Sequence, residues 1–468
     1  MRSIGKRALS GVVALSAVVA LAACSNGGGA ASGESAGSAG EATSPAYDEN
    51  TDYDITVWAW EPTIQQDSDV VKAFEEKYPN IHVTVTNVGG AADTYTALSN
   101  ALQAGSGLPD AAQIEYYALP QYATGSSLAD LTEFGAGDLE GQYTPGTWNS
   151  INQTTAKGVS GIFGLPVDSG PMALFYNQAT FEKAGISEPP TTWDAFYEDA
   201  KKIHALGDNY YITSDSGNDA GFLTSIMWQL SPSAFQVDGQ NITVDFTDPN
   251  FQKFVDIWQK LIDEDLISTS IVGWSDEWFK GLGDGTLASL PTGAWMPANL
   301  LANSSEASGD FRVAPMPSID GSAVNAENGG SSLAIMDASG NKAAAYKFLE
   351  FVSNGDGATL RVKGGNFPSL QSTLDDTDFQ ESTGDFANQE LLDYFGGQTY
   401  NSVLAEGASA VNTGWTYLPY EVAANSKFGD TVGQAYNGSG TKLTDALAQW
   451  AQAIEDYGNE QGYSVTVK

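Results

Sequence analysis

The chain reads as an α/β protein that opens on a parallel sheet with helices on its faces. Strand and helix signals alternate between residues 55 and 114, amphipathic helical periods recur later, and 468 residues are enough for two or more domains. Ile55 and Val57 begin a strand that runs to Trp60. Asp67 or Ser68 then caps a helix in which Val70, Val71, Phe74 and Tyr78 share a face, and Pro79 ends it. Ile81, Val83 and Val85 alternate with polar residues as a second strand. A second helix puts Tyr95, Leu98 and Leu102 on one side and stops at Gly105, and residues 111–114 form a third, short apolar strand. This is βαβαβ. In open α/β sheets ligands gather at the carboxyl ends of the strands, which here carry Trp60-Glu61 and Glu115-Tyr116-Tyr117.

After Pro166 the pattern changes, as at a domain boundary. Trp193, Phe196, Ala200 and Ile203 lie on one helical face, and Thr191 and Asp194 have capping-box spacing ahead of it. Phe251, Phe254, Val255, Trp258, Leu261 and Ile262 give a clean helical period. Further helices are predicted over residues 344–352 and 443–454.

The first fifty residues belong to no such pattern. Arg2, Lys6 and Arg7 precede an apolar run over residues 8–23, shorter than the ~20 residues a membrane-spanning helix needs, so residues 1–23 read as a secretory signal peptide. The run ends in Leu21-Ala22-Ala23-Cys24, which resembles the lipobox of bacterial lipoproteins. That resemblance implies cleavage before Cys24 and lipidation of its thiol. Residues 24–50 are rich in glycine, alanine and serine and read as a flexible linker, a coil of ~25–30 Å.

Composition removes several function classes. Cys24 is the only cysteine, so no intramolecular disulfide, zinc–thiolate site or iron–sulfur cluster can form. With two histidines, His82 and His204, a catalytic triad or histidine-rich metal site is not expected, and both read as structural. No catalytic residue, metal or cofactor is assigned. A net charge of −38, deeper once the basic leader is lost, repels nucleic acid and anionic membrane surfaces. Eleven tryptophans, twenty tyrosines and twenty phenylalanines supply a core and leave rings for a sugar-binding face.

Several segments, in order, resemble the family 1 extracellular solute-binding proteins of ABC importers, the group that contains maltose-binding protein. They are Phe74-Glu75-Glu76-Lys77-Tyr78-Pro79-Asn80-Ile81, then Gly107-Leu108-Pro109-Asp110, Gly125 and Leu128-Ala129-Asp130-Leu131. Gly164-Leu165-Pro166, Phe175-Tyr176-Asn177, Ala184-Gly185-Ile186 and Pro190-Thr191-Thr192-Trp193 follow, then Gly293-Ala294-Trp295 and Gly329-Gly330-Ser331. The resemblance implies a two-lobed periplasmic-binding-protein-like α/β fold with a hinge and a ligand cleft between the lobes. It places lobe 1 at 51–165 with 327–372 and lobe 2 at 166–326 with 373–460. It further implies a monomer, lipid-anchored on the outer face of the cytoplasmic membrane, that hands an oligosaccharide to the permease subunits of an ABC importer.

A saccharide needs flat rings for its C–H faces and convergent polar groups for its hydroxyls, because a buried unpaired hydroxyl costs ~1–3 kcal/mol. The resemblance makes Trp295 the first stacking candidate. Trp60 and Glu61 follow the first strand, and of Tyr116 and Tyr117 one is expected to face the cleft while the other packs inward. Asp168 either accepts from a sugar hydroxyl or solvates the hinge. Asn218, next to Asp219 in a Gly- and Ser-rich loop, Gly330, Trp415 and Tyr417 complete the ligand-binding set. The spacing of Asp215, Asn218 and Asp219 does not fit an EF-hand. Trp228, Trp274 and Trp278 read as core, and Arg312 and Arg361 as structural rather than phosphate-binding. Two other classes share this composition: a glycoside hydrolase, whose paired carboxylates would stand ~5–9.5 Å apart, and an adhesive lipoprotein without a cleft.

Overall fold

A computed structural model of the chain describes residues 46–155, 158 and 160–468. The expected signal peptide and Cys24 lie outside the described residues. The packed body already includes Tyr47, inside the expected linker: its ring lies 5.8 Å from Tyr53 and 6.3 Å from Tyr78, and its hydroxyl donates to Asn80 at 2.8 Å. A tyrosine with two ring partners is held, so the linker reading over-extends.

Eight strands position the site: β1 (Tyr53–Trp58), β2 (Ile81–Thr86), β3 (Ala111–Glu115), β4 (Leu165–Pro166), β5 (Met172–Asn177), β6 (Ser289–Gly293), β7 (Phe311–Pro315) and β8 (Ser331–Ile335). The first sheet has the order β2-β1-β3-β8-β4. β1 runs parallel to β2, Tyr53 opposite Ile81, and parallel to β3, Val57 opposite Ala111. The parallel prediction stops there, because β8 is antiparallel to both β3 and β4. β8 arrives from far along the chain, and no local signal in the first segment announces it.

Between these strands, α1 (Asp69–Lys77) is capped by Ser68, whose Oγ accepts from Val71 N at 3.3 Å, and α2 (Ala91–Ala104) ends at Gly105 in the left-handed region. The second sheet has the order β6-β5-β7, antiparallel throughout. β5 is apolar along its length because both faces are covered: Met172 and Leu174 point into one core, Ala173 and Phe175 into another. The helix Trp193–His204 starts one residue later than the capping box suggested. Thr192 Oγ1, not Thr191, accepts from Ala195 N at 3.1 Å, while Asp194 pairs with Lys253 at 2.7 Å. The helix Pro249–Asp263 buries Phe251, Phe254, Val255, Trp258 and Leu261 as its period requires.

The buried apolar residues separate. One core draws on the stretch from Ile55 to Val167 and again from Leu333 to Leu370. Two others, on either face of the second sheet, draw on residues from Met172 to Met316 and from Phe367 to Val465. Among the described residues no helix is long and apolar enough to cross a membrane.

Candidate functional site

The carboxyl end of β1 is fixed by a buried amide. Gln113 sits within β3, where its Oε1 accepts from the backbone N–H of Trp60 and of Glu61, each at 3.0 Å. Its Nε2 donates to Ser331 Oγ on β8 at 2.9 Å. Glu61 then caps the short turn Pro62–Ile64, its Oε1 accepting from Thr63 N at 3.1 Å and Oγ1 at 2.9 Å. Trp60 is thereby presented half-buried, edge-on to Tyr95 with centroids 6.4 Å apart.

Tyr95 links that ring to the end of β3. Its hydroxyl donates to Glu115 Oε2 at 3.0 Å and accepts from Glu115 N at 2.9 Å, and its ring meets Tyr117 edge-on at 6.2 Å. Burial pushes the Glu115 carboxyl up to about 7; hydrogen bonds from Tyr117 and Tyr95 restrain it, and the charges of Asp219 and Asp168 add to the rise. Asp219 is carried on the second core's side, just before the buried Ala220, and accepts from Gly221 N at 2.8 Å. Asp219 and Glu115, carried by different cores, thus lie near enough for their charges to interact.

Of the two tyrosines, Tyr117 is the half-buried one. Tyr116 is 1% exposed and donates to the Asp168 carbonyl at 2.5 Å, so it packs inward and offers no face to a ligand. Both follow β3 in a turn over residues 116–118, which aims Tyr116 inward and leaves Tyr117 half-buried. Gly330, buried at φ +92°, serves that packing: a Cβ there would come within 2.7 Å of the Tyr116 ring.

Asp168 is 7% exposed, and its Oδ1 accepts from Ser331 N at 2.6 Å and Ser331 Oγ at 2.8 Å. Burial first, then the nearby Glu61 charge, raises it to about 6. It ties β4's exit to β8. Glu327 does similar work next door, accepting from Ser169 Oγ at 3.0 Å and from Gly170 N, and burial lifts it to about 7. The fully buried Arg361 donates to backbone and to Asn366, so its structural reading agrees with its placement. Arg312 likewise donates to backbone carbonyls at 2.8 and 2.6 Å.

Trp295 follows β6, partly exposed. Its Nε1 donates to the Asn328 carbonyl at 2.7 Å, in a cradle of Gly170, Gly293 and Gly329 where any added Cβ would press on the indole nitrogen. Asn328, absent from the sequence-based set, organises this corner: its side chain accepts from Thr292 at 3.2 Å and donates to Ser225 at 3.0 Å. Only the fold brings residue 328 to residue 295. Trp278 and Trp228 are core, at 5% and 4% exposure. Trp274 is not: it is 52% exposed and stacks on Trp295, centroids 5.6 Å apart and planes 20° apart.

Trp415 lies parallel to Trp228, at 5.6 Å and 7°, and Tyr417 stands edge-on to both. Tyr417 packs against the first core although its neighbours Trp415 and Leu418 pack against the second. Glu421, 2% exposed, accepts from Leu418 N at 2.9 Å and is raised by burial to about 8. Asn218 and Asp219 are both exposed, and it is Asp219 whose charge bears on Glu115. A hollow of about 240 Å³ lies beside the ring cluster, lined by Thr144, Gly146, Gln371, Val411 and Thr413 among others.

His82 is exposed on its strand, and His204 binds the Tyr210 carbonyl at 3.0 Å. Among the described residues no group of three or more His, Cys, Asp or Glu side chains is placed to hold a metal ion.

Comparison with known proteins adds an independent line. The sequence profile of the family described as bacterial extracellular solute-binding protein matches residues 61–358. A solved binding protein associated with an ABC transporter of Bifidobacterium animalis subsp. lactis, in complex with β-1,6-galactobiose, is 47% identical with a TM-score of 0.80, covering 88% of this chain and 99% of its own. The galacto-N-biose/lacto-N-biose I-binding protein of Bifidobacterium longum, in complex with lacto-N-biose, is 27% identical with a TM-score of 0.76, covering 90% and 100%. The lactose-binding protein of Rhizobium radiobacter is 25% identical over 421 residues, 86% of this chain and 92% of its own.

Proposed function

Because the chain belongs to the bacterial extracellular solute-binding protein family, with its two-lobed α/β fold, we propose that it captures a short oligosaccharide between its lobes and delivers it to the permease of an ABC importer. One observation carries the reading. Rings and carboxylates from both cores lie close enough to act on one another: Trp60, Tyr117, Glu115 and Tyr417 pack with the first core, and Asp219 and Glu421 come from the second core's side. Rings serve the C–H faces of a sugar and carboxylates accept from its hydroxyls, whereas a phosphate would call for cations. The two arginines singled out on that ground, Arg312 and Arg361, are spent on backbone carbonyls.

Galactose-containing disaccharides are the first ligands to try, since the structural relatives carry β-1,6-galactobiose and lacto-N-biose. Trp60, Glu61, Tyr117, Trp295 and Tyr417 are the contacts we assign, with Trp415 backing the last and Asp168 holding the hinge. The lobes we assign are 51–165 with 327–372 and 166–326 with 373–460; the separation of the apolar cores supports them, with Val167 and Phe367 packing across these bounds. Cys24 carries the lipid anchor, the protein acts as a monomer at the outer face of the cytoplasmic membrane, and it binds sugar without cleaving it.

A thermal-shift screen tests this with β-1,6-galactobiose, lacto-N-biose, lactose, an arabino-oligosaccharide and glycerol 3-phosphate. A ligand at 100 times its Kd adds ~2.7 kcal/mol, and chromatography of the recovered sugar reports hydrolysis. Stabilisation by intact saccharide is expected. No shift with any saccharide, or cleavage of one, rejects the proposal.

A further inference from the structure

Val272 and Trp274, at 46% and 52%, are the large apolar side chains left exposed among the described residues, and they sit in one turn. Ser275 closes that turn, its backbone N–H and its hydroxyl both donating to the Val272 carbonyl, at 3.3 and 2.7 Å. Trp274 occupies the turn at φ +68°, a conformation that a bulky side chain adopts at a conformational cost. Glycine would sit there freely, yet the sequence spends its glycine one position earlier, at Gly273. The cost holds an indole in place. Its inner face lies on Trp295 at 5.6 Å, too close for a sugar to enter between the rings. Edge contacts to Phe279 at 6.0 Å and a tilted one to Trp278 at 5.6 Å steady it from the same segment. The open ring of this stack is therefore that of Trp274, while Trp295 is mostly covered.

We propose that Trp274 is a carbohydrate-stacking residue that extends the Trp295 platform outward, taking the sugar units of an oligosaccharide beyond the first two. The proposal rests on the oligosaccharide reading above. An exposed ring held rigidly by a turn and a neighbouring indole has little conformational freedom to lose when a pyranose face covers it. Its position on the solvent side of Trp295 suits a unit that projects from the cleft.

Calorimetric titration of purified protein with β-1,6-galactobiose and with the corresponding tetrasaccharide tests the assignment. In Trp274→Ala the tetrasaccharide should bind about tenfold more weakly, while the disaccharide stays within about threefold of wild type. Trp274→Phe, which keeps a flat face, should recover most of the tetrasaccharide affinity. Equal losses for both lengths, or none for either, overturn the proposal, as does wild-type protein that binds the disaccharide but not the longer chain. Wild-type protein that binds neither overturns the sugar reading itself and this inference with it. Because Trp274 lies outside the core, melting temperatures near wild type are expected; a large fall in Trp274→Ala would instead mark the ring as structural.

Discussion

The side-chain carbonyl of Gln113 holds the backbone N–H of Trp60 at 3.0 Å, so an amide buried in β3 sets where the first ring of the proposed site stands. The same Oε1 takes Glu61 N–H, and the Nε2 reaches Ser331 on β8. Replacing Gln113 by leucine leaves those groups without a partner in the interior. A buried group so orphaned costs ~1–3 kcal/mol. Gln113→Leu should lower stability by about that amount and weaken sugar binding severalfold, through a displaced Trp60 rather than a lost contact. Unchanged unfolding and affinity would show that the loop holds itself.

Trp295→Ala removes a ring, empties the glycine cradle and frees the Asn328 carbonyl. Truncating an aromatic hot spot typically costs 2 kcal/mol or more, and ~1.4 kcal/mol is tenfold in affinity. At least tenfold weaker binding is expected by calorimetry, with Trp295→Phe in between because it keeps a face but loses the hydrogen bond. The ligand-free protein should lose less than the ~3–5 kcal/mol typical of a core tryptophan. Normal affinity in Trp295→Ala would remove this residue from the site.

Five buried carboxyls are raised: Asp168 to about 6, Glu115 and Glu327 to about 7, Glu421 to about 8, and Asp215 as well. Burial is the leading cause for each. Between their unfolded values near 4 and these folded values the native state binds more protons than the unfolded one. Stability therefore falls as pH rises through that window, and lowering pH from 8 to about 5.5 restores it. The melting temperature should be higher at pH 5.5 than at pH 8, and Glu421→Gln should flatten that dependence. A melting temperature that climbs with pH contradicts the assignment.

If Cys24 carries the lipid, Cys24→Ser should move the exported protein from the membrane fraction to the medium, as read by fractionation and immunoblot. Retention of the exported variant on the membrane would refute the anchor.

The local sequence determined the elements of this protein, because periodicity and caps are short-range. Ile55 and Val57, Ile81 to Val85, and the Phe251 to Leu261 face all bury as their spacing requires, and Ser68 and Gly105 end helices by their own side-chain and backbone chemistry. The carboxyl ends of the first and third strands marked the proposed site's neighbourhood by topology alone. Only the tertiary structure decided which side chains occupy it. Tyr116 and Tyr117 follow the third strand in a turn, and Gly330, far along the chain, leaves the room that the inward Tyr116 ring fills. Trp274 and Trp278 share a segment and a residue type, but one lies across Trp295 in the open and the other is covered. Burial of a given face depends on what packs against it from distant segments, and a periodic pattern carries no record of that partner.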